Sequence, residues 1–178
     1  TGVCVGYATT FRLLTTMAGM ECDIIHDSEY SHTWNIIKLD DGEYYLVDVY
    51  SDANDGEVLH SYFNVNEEFF MNDGYYYDTE RYPTADGTKY SYAQMNAVTF
   101  KSFEELAKKV AELNVDGGEL YFRMDDSSTV ADVLYVLESI MNRIDSTGTR
   151  YCSYDHYDTQ SAEPVYRIVV EVYEYEWG

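Results

Sequence analysis

The stretch His32-Thr33-Trp34-Asn35-Ile36-Ile37-Lys38-Leu39-Asp40-Asp41-Gly42-Glu43-Tyr44-Tyr45-Leu46-Val47-Asp48-Val49-Tyr50 reads as two strands and a tight turn. β-Branched and aromatic residues fill both arms, His32–Leu39 and Glu43–Tyr50, and turn formers separate them. A three-residue loop ending in glycine, Asp40-Asp41-Gly42, is the signature of a type I turn with a glycine bulge. That turn pairs Leu39 with Glu43, hence Trp34 with Asp48 and His32 with Tyr50. In this register His32 and Asp48 are diagonal neighbours on one sheet face, within side-chain reach. A two-residue loop would shift the register by one and send them to opposite faces.

Upstream, Val5, Ala8, Phe11, Leu14 and Met17/Ala18 recur at helical spacing and Gly19 follows, so residues 5–18 are predicted as a helix, with Cys4 in its first turn. A third strand is predicted at Glu21–His26. A helix followed by an antiparallel meander is the α+β class. Downstream, Asp52 to Tyr92 is loop-rich, with Asp-Gly at 55–56, 73–74 and 86–87 and one apolar island, Tyr62-Phe63-Asn64-Val65, and is expected to wrap the core. After Ala97 the pattern becomes strand Val98–Lys101, helix Phe103–Leu113, strand Glu119–Met124, helix Val130–Ile144, and strands near Thr149–Tyr157 and Val165–Tyr175. This βαβαββ order places a domain boundary near residue 96, giving residues 1–96 and a small α/β sandwich over 97–178.

The 178 residues carry 11 Lys+Arg against 33 Asp+Glu, a formal charge of −22. Such a surface repels phosphate backbones and anionic headgroups, so neither nucleic acid nor a membrane surface is an expected partner. No apolar run approaches the roughly 20 residues of a spanning helix, so membrane insertion is not expected. Tyr is abundant, 20 residues against 2 Trp and 7 Phe, and Lys is scarce. Both habits suit an exported bacterial protein, extracellular or at the cell surface, with its signal sequence outside this chain. Three cysteines, Cys4, Cys22 and Cys152, without a CxxC pair write neither a disulfide framework nor a zinc site. Cys22 alternates with Met20 and Ile24 on an apolar strand face and is expected in the core.

A thiol at a helix N-terminus meets unpaired N–H groups and the positive end of the helix dipole, which stabilise the thiolate. Cys4 fits that description, and Gly2 and Gly6 leave its backbone approachable for a substrate carbonyl. A nucleophilic cysteine needs a base and a group that orients the base. His32 and Asp48 supply both in the predicted register. Singly, each has a plainer reading: a small buried cysteine, a core histidine, a strand-end carboxylate.

Together, Gly2-Val3-Cys4-Val5-Gly6-Tyr7-Ala8, His32-Thr33-Trp34-Asn35 and Tyr44-Tyr45-Leu46-Val47-Asp48-Val49 resemble the three signature segments of the bacterial transglutaminase-like superfamily, over about residues 1–92. The resemblance implies a papain-like fold with Cys4 as nucleophile, His32 as general base and acid, and Asp48 as the orienting carboxylate. It also implies that the first domain is N-terminally truncated. Gly2, Gly6, Tyr7 and Trp34 are the expected lining of a substrate cleft. Relatives usually carry a Trp soon after the aspartate, whereas Val49-Tyr50-Ser51-Asp52 has none.

His26, His60 and His156 show no ligand spacing, so no metal and no cofactor is expected. The run Asp52-Ala53-Asn54-Asp55-Gly56-Glu57 misses the EF-hand order and reads as a solvated turn. Tyrosines at 75–77, 90 and 92 could form a sugar- or peptide-binding platform or cover the core. The expected function is acyl transfer on amide or peptide bonds through a thioester, with hydrolysis favoured over amine cross-linking. The expected partner is a protein or peptide substrate, cell-wall peptide among the candidates. The alternative is a catalytically silent binding or scaffold module on the same fold.

Overall fold

A computed structural model describes residues 3–27, 31–54, 57–125, 127–145, 150–157 and 164–172. The chain is mixed α and β and divides into two compact units, Thr1–Met95 and Asn96–Gly178.

In the first unit, helix α1 (Cys4–Met17) precedes strands β1 (Cys22–His26), β2 (Thr33–Lys38) and β3 (Tyr44–Val47). A one-turn helix α2 (Val49–Asp52), a two-residue ladder of β4 (Ala53–Asn54) and β5 (Glu57–Val58), strand β6 (Phe63–Val65) and helices α3 (Glu67–Asn72) and α4 (Tyr92–Asn96) follow. The main sheet is antiparallel in the order β1-β2-β3-β6. β2 and β3 pair Asn35 with Val47 and Lys38 with Tyr44. The loop closes with Gly42 N donating to Leu39 O at 2.9 Å and Leu39 N to Glu43 O at 3.0 Å, and Gly42 sits at φ +89°. That left-handed φ is why glycine ends the loop, and the register is the one its turn chemistry predicts.

The helix and sheet meet through one stripe of α1. Ala8 is buried, and Phe11 packs with Ile37, Tyr45 and Val47. The Asn35 amide donates to Ala8 O at 3.0 Å and to Asp23 O at 3.1 Å, tying α1 to both β1 and β2. Asn35 and Ile37 thus face the helix, and the alternation of a strand sends Trp34 and Ile36 to the other face. There Trp34 packs against Phe70, Tyr75 and Tyr77. Gly19, at φ +85°, ends α1 as the sequence predicts.

Sequence reading departs from the structure after Asp48. The predicted strand runs on through Tyr50, but Asp48 caps α2 and the chain turns away from the sheet. The stretch read as loop-rich also contains β6 and α3, and α4 starts at its last residue. Of the acidic run, Asp52 is buried and accepts from Tyr62 N at 3.1 Å, while Asp55 and Gly56 lie outside the described residues.

In the second unit, β7 (Val98–Phe100), α5 (Phe103–Asp116), β8 (Gly118–Met124), α6 (Val130–Asp145), β9 (Arg150–Tyr157) and β10 (Val165–Val172) form a sheet ordered β7-β8-β10-β9. β7 and β8 are parallel, joined through α5, and the other pairs are antiparallel. Leu106 and Val110 of α5 and Val133, Leu137 and Ile144 of α6 share one core with Leu120, Phe122, Tyr166 and Ile168 of the sheet. Tyr173 and Tyr175 of the last predicted strand lie outside the described residues. Among the described residues no helix is long and apolar enough to cross a membrane.

Candidate active site

The buried carboxylate of Asp48 organises the end of the first sheet. Its Oδ1 accepts from the backbone N–H groups of Tyr50 and Ser51, both at 3.1 Å, as the N-cap of α2. Its Oδ2 accepts from Ser51 Oγ at 2.7 Å and the Tyr75 hydroxyl at 3.1 Å, and lies 2.5 Å from His32 Nε2. A carboxylate can only accept, so His32 Nε2 is the donor in this pair and Nδ1 is not used by it. The Asp48 side chain is 1% exposed and that of His32 23%, so the bond is shielded while the ring keeps one edge open.

Aromatic rings fix the imidazole. Trp34, Tyr50 and Tyr75 lie with ring centroids 5.8, 5.7 and 5.7 Å from His32. Burial, reinforced by the Asp48 charge, pushes the Tyr75 phenol well above the usual tyrosine range, so it stays a hydroxyl donor. The Tyr62 phenol is raised by burial and by its bond to Asp73. Asp27, five residues before His32 in sequence, is held below the ordinary carboxylate range despite the opposing cost of burial, by the Ser31 hydroxyl and amide and by the His32 backbone.

Cys4 opens α1, is partly exposed and forms no disulfide among the described residues. Val3, its N-cap residue, contributes no side-chain cap, unlike Asp48, Asn66 and Ser102 at α2, α3 and α5. Cys4 lies one turn from Ala8 on the sheet-facing stripe. One turn from Cys4, Tyr7 also packs edge-on to Tyr50 at 5.7 Å, and Tyr50 in turn contacts His32. The structure therefore joins His32 and Asp48 directly and links the Cys4 turn to them through Tyr7 and Tyr50. Among the described residues no hydrogen bond joins Cys4 Sγ to the His32 ring.

The expected cleft residues divide. Gly6 and Tyr7 line a largely apolar cavity of about 420 Å³ along α1 with Phe11, Leu14 and Val49. Trp34 is a correction: at 1% exposure it is a core side chain beneath His32, not a cleft wall. Gly2 lies outside the described residues. Cys22 is half-buried against the core, and burial raises its thiol pKa. Cys152 is buried in the core of the second unit. Of the tyrosines read as a platform or a core cover, Tyr75 and Tyr77 turn inward, Tyr77 donating to Glu67, while Tyr76 is exposed and Tyr92 stacks on His60 at 4.1 Å. Among the described residues no three His, Cys, Asp or Glu side chains converge as metal ligands.

Sequence reasoning missed Ser51, the ring contact of Tyr50 with His32 and the bond of Tyr75 to Asp48. Asp48 followed three residues later by a hydroxyl is an N-cap pattern and could have flagged Ser51. Tyr75 gave no local signal. Compared with known proteins, the chain matches no family model, no curated sequence and no solved structure.

Proposed function

We propose that the first unit is a cysteine acyl-transfer enzyme of the transglutaminase-like, papain-fold class that hydrolyses amide or peptide bonds through a thioester on Cys4. The observation that carries this reading is the His32–Asp48 pair, in which Nε2 donates and Nδ1 is not used. In that mechanism His32 Nδ1 takes the Cys4 proton and the thiolate attacks the amide carbonyl, forming the C–S bond and an oxyanion. The uncapped N–H groups at the start of α1 suit that oxyanion. Collapse breaks the C–N bond, and the imidazolium gives its proton to the departing amine. Water, deprotonated by His32, then releases the acid and restores the thiol; an amine in its place would give cross-linking. Tyr7 and Tyr50 bridge the Cys4 turn and His32 by ring contacts of 5.7 Å each, and the mechanism requires the thiol–imidazole pair to form when substrate binds. The lysine-poor, tyrosine-rich composition fits a bacterial surface setting with peptide substrates.

The test is reaction with an electrophilic peptide-amide probe library followed by mass mapping. Labelling at Cys4 that disappears in His32→Ala, with turnover of the matching amides, is the expected result. The second reading, a silent binding module, is favoured by the missing Cys4–His32 hydrogen bond. It predicts that Cys4 labels no faster than a free thiol and that no amide is cleaved.

A further inference from the structure

A second cavity, of about 470 Å³, lies on the side of α1 that faces the outer strand of the sheet. Val5 and Arg12 of α1 line it, two turns apart and therefore on the same side of the helix. Asp23 and His26 of β1 form the second wall, and Arg81 and Tyr82 the third. The Tyr82 hydroxyl donates to Ile24 O at 3.3 Å, which anchors the Arg81 turn to β1.

Charge makes this cavity unusual. The chain holds three acids for every base, yet two arginines face one aspartate here. Asp23 is partly committed: its Oδ1 accepts from Ile24 N at 2.8 Å and faces Arg12 Nη2 at 3.6 Å. With both side chains at least half exposed, that ion pair is weak and open to exchange. Among the described residues the Arg81 guanidinium makes no hydrogen bond or ion pair, although Asp78 and Glu80 are its near neighbours. Asp78 instead accepts from Glu80 N. A guanidinium without a partner in so acidic a chain, set in a concavity beside a second one, is built for an anion from outside.

Position adds to this. Val5 follows Cys4, and His26 pairs across the ladder with Thr33, which follows His32. Two extended residues span about 7 Å, enough to run from the Cys4 turn into the cavity. We propose that this cavity is a subsite for a free carboxylate on the substrate, placed within about two residues of the scissile amide; its use in turnover rests on the acyl-transfer reading above. The carboxylate is a chain terminus or an acidic side chain. A phosphate, carrying about −1.5 to −2 charge, would be opposed more strongly by the field of a −22 chain than a single carboxylate is.

Binding can be measured without turnover. Amide chemical shifts of the ¹⁵N-labelled Cys4→Ala chain are followed with acetyl-dialanine, its C-terminal amide, and acetyl-glutamyl-alanine amide. The expected result is movement of the Val5, Asp23, His26 and Arg81 signals with at least one carboxylate probe and not with the neutral amide. The probe that binds identifies terminus or side chain as the source. Arg81→Gln, at an exposed position, should weaken binding about tenfold, and Asp23→Asn should tighten it about threefold by releasing Arg12. Equal binding of acid and neutral amide, or affinity indifferent to Arg81→Gln, overturns the subsite. A wild-type chain that binds carboxylates here but cleaves no amide overturns the acyl-transfer reading alone. Cleavage that treats acids and amides alike overturns the subsite alone.

Discussion

Asp48 accepts four hydrogen bonds besides facing His32, from two backbone amides and the Ser51 and Tyr75 hydroxyls. That over-determination fixes which imidazole nitrogen is protonated, and it makes the residue-scale predictions sharp. Asp48→Asn presents either an amide donor to Nε2 or a weaker acceptor, so the proposed acyl transfer should fall by as much as about 10⁴-fold with the fold retained. Circular dichroism and kcat/KM on one sample check both halves, and an unchanged rate would make Asp48 purely structural. Tyr75→Phe keeps the ring that packs on His32 and Trp34 but removes one donor, at a cost of about 1 kcal/mol in stability and a smaller loss of rate than Asp48→Asn. Among the thiols, burial raises Cys22 and encloses Cys152, leaving Cys4 alone at an uncapped helix start. Iodoacetamide at near-neutral pH should modify Cys4 first, and His32→Ala should slow that reaction only. Equal labelling of all three cysteines would count against an activated nucleophile.

Two glycines of the β-hairpin region show how an element's shape depends on different physics. Gly42 sits at φ +89° with open space where a methyl group would project, so Gly42→Ala costs only the left-handed strain, about 1 kcal/mol. Gly87 is limited by space instead. A Cβ there would lie 2.3–2.6 Å from the Tyr45 ring, whose residue is fully buried and whose hydroxyl donates to Asp41 of the loop at 2.6 Å. Gly87→Ala should therefore cost more, about 1–3 kcal/mol or above, by displacing that ring. Chemical denaturation of both variants tests the order, and a reversed order would mean that Tyr45 gives way freely.

At the scale of the molecule, the tyrosines set the alkaline limit. Tyr45, Tyr62, Tyr75 and Tyr77 all have phenols raised above their ordinary value, with burial the first cause in each. A folded pKa above the unfolded one means stability that is complete below the unfolded value, about 10, and is lost as pH rises beyond it. Each new phenolate also adds to a charge already at −22. Unfolding should set in above about pH 10, with phenolate absorbance of these residues appearing together with loss of the far-ultraviolet dichroism. Smooth ionisation of every tyrosine in a chain that stays folded would refute this.

The sequence by itself determined what depends on neighbours along the chain. Asp40-Asp41-Gly42 set the hairpin register through one left-handed glycine, Gly19 ended α1, and the helix and strand periods of the second unit gave its elements in order. The closeness of His32 and Asp48 was legible for the same reason, since a turn fixes parity. Tertiary structure alone decided the rest. Asp48 stopped β3 because its carboxylate found the Tyr50 and Ser51 amides, a competition strand propensity does not register. Trp34 went under His32 because β2 is covered on both faces, and Tyr75 reached Asp48 across 27 residues of chain. Arg12 and Arg81 share one cavity only because Tyr82 anchors its turn to β1. Such contacts join side chains distant in sequence, and no local pattern encodes which of many acidic or aromatic residues will meet.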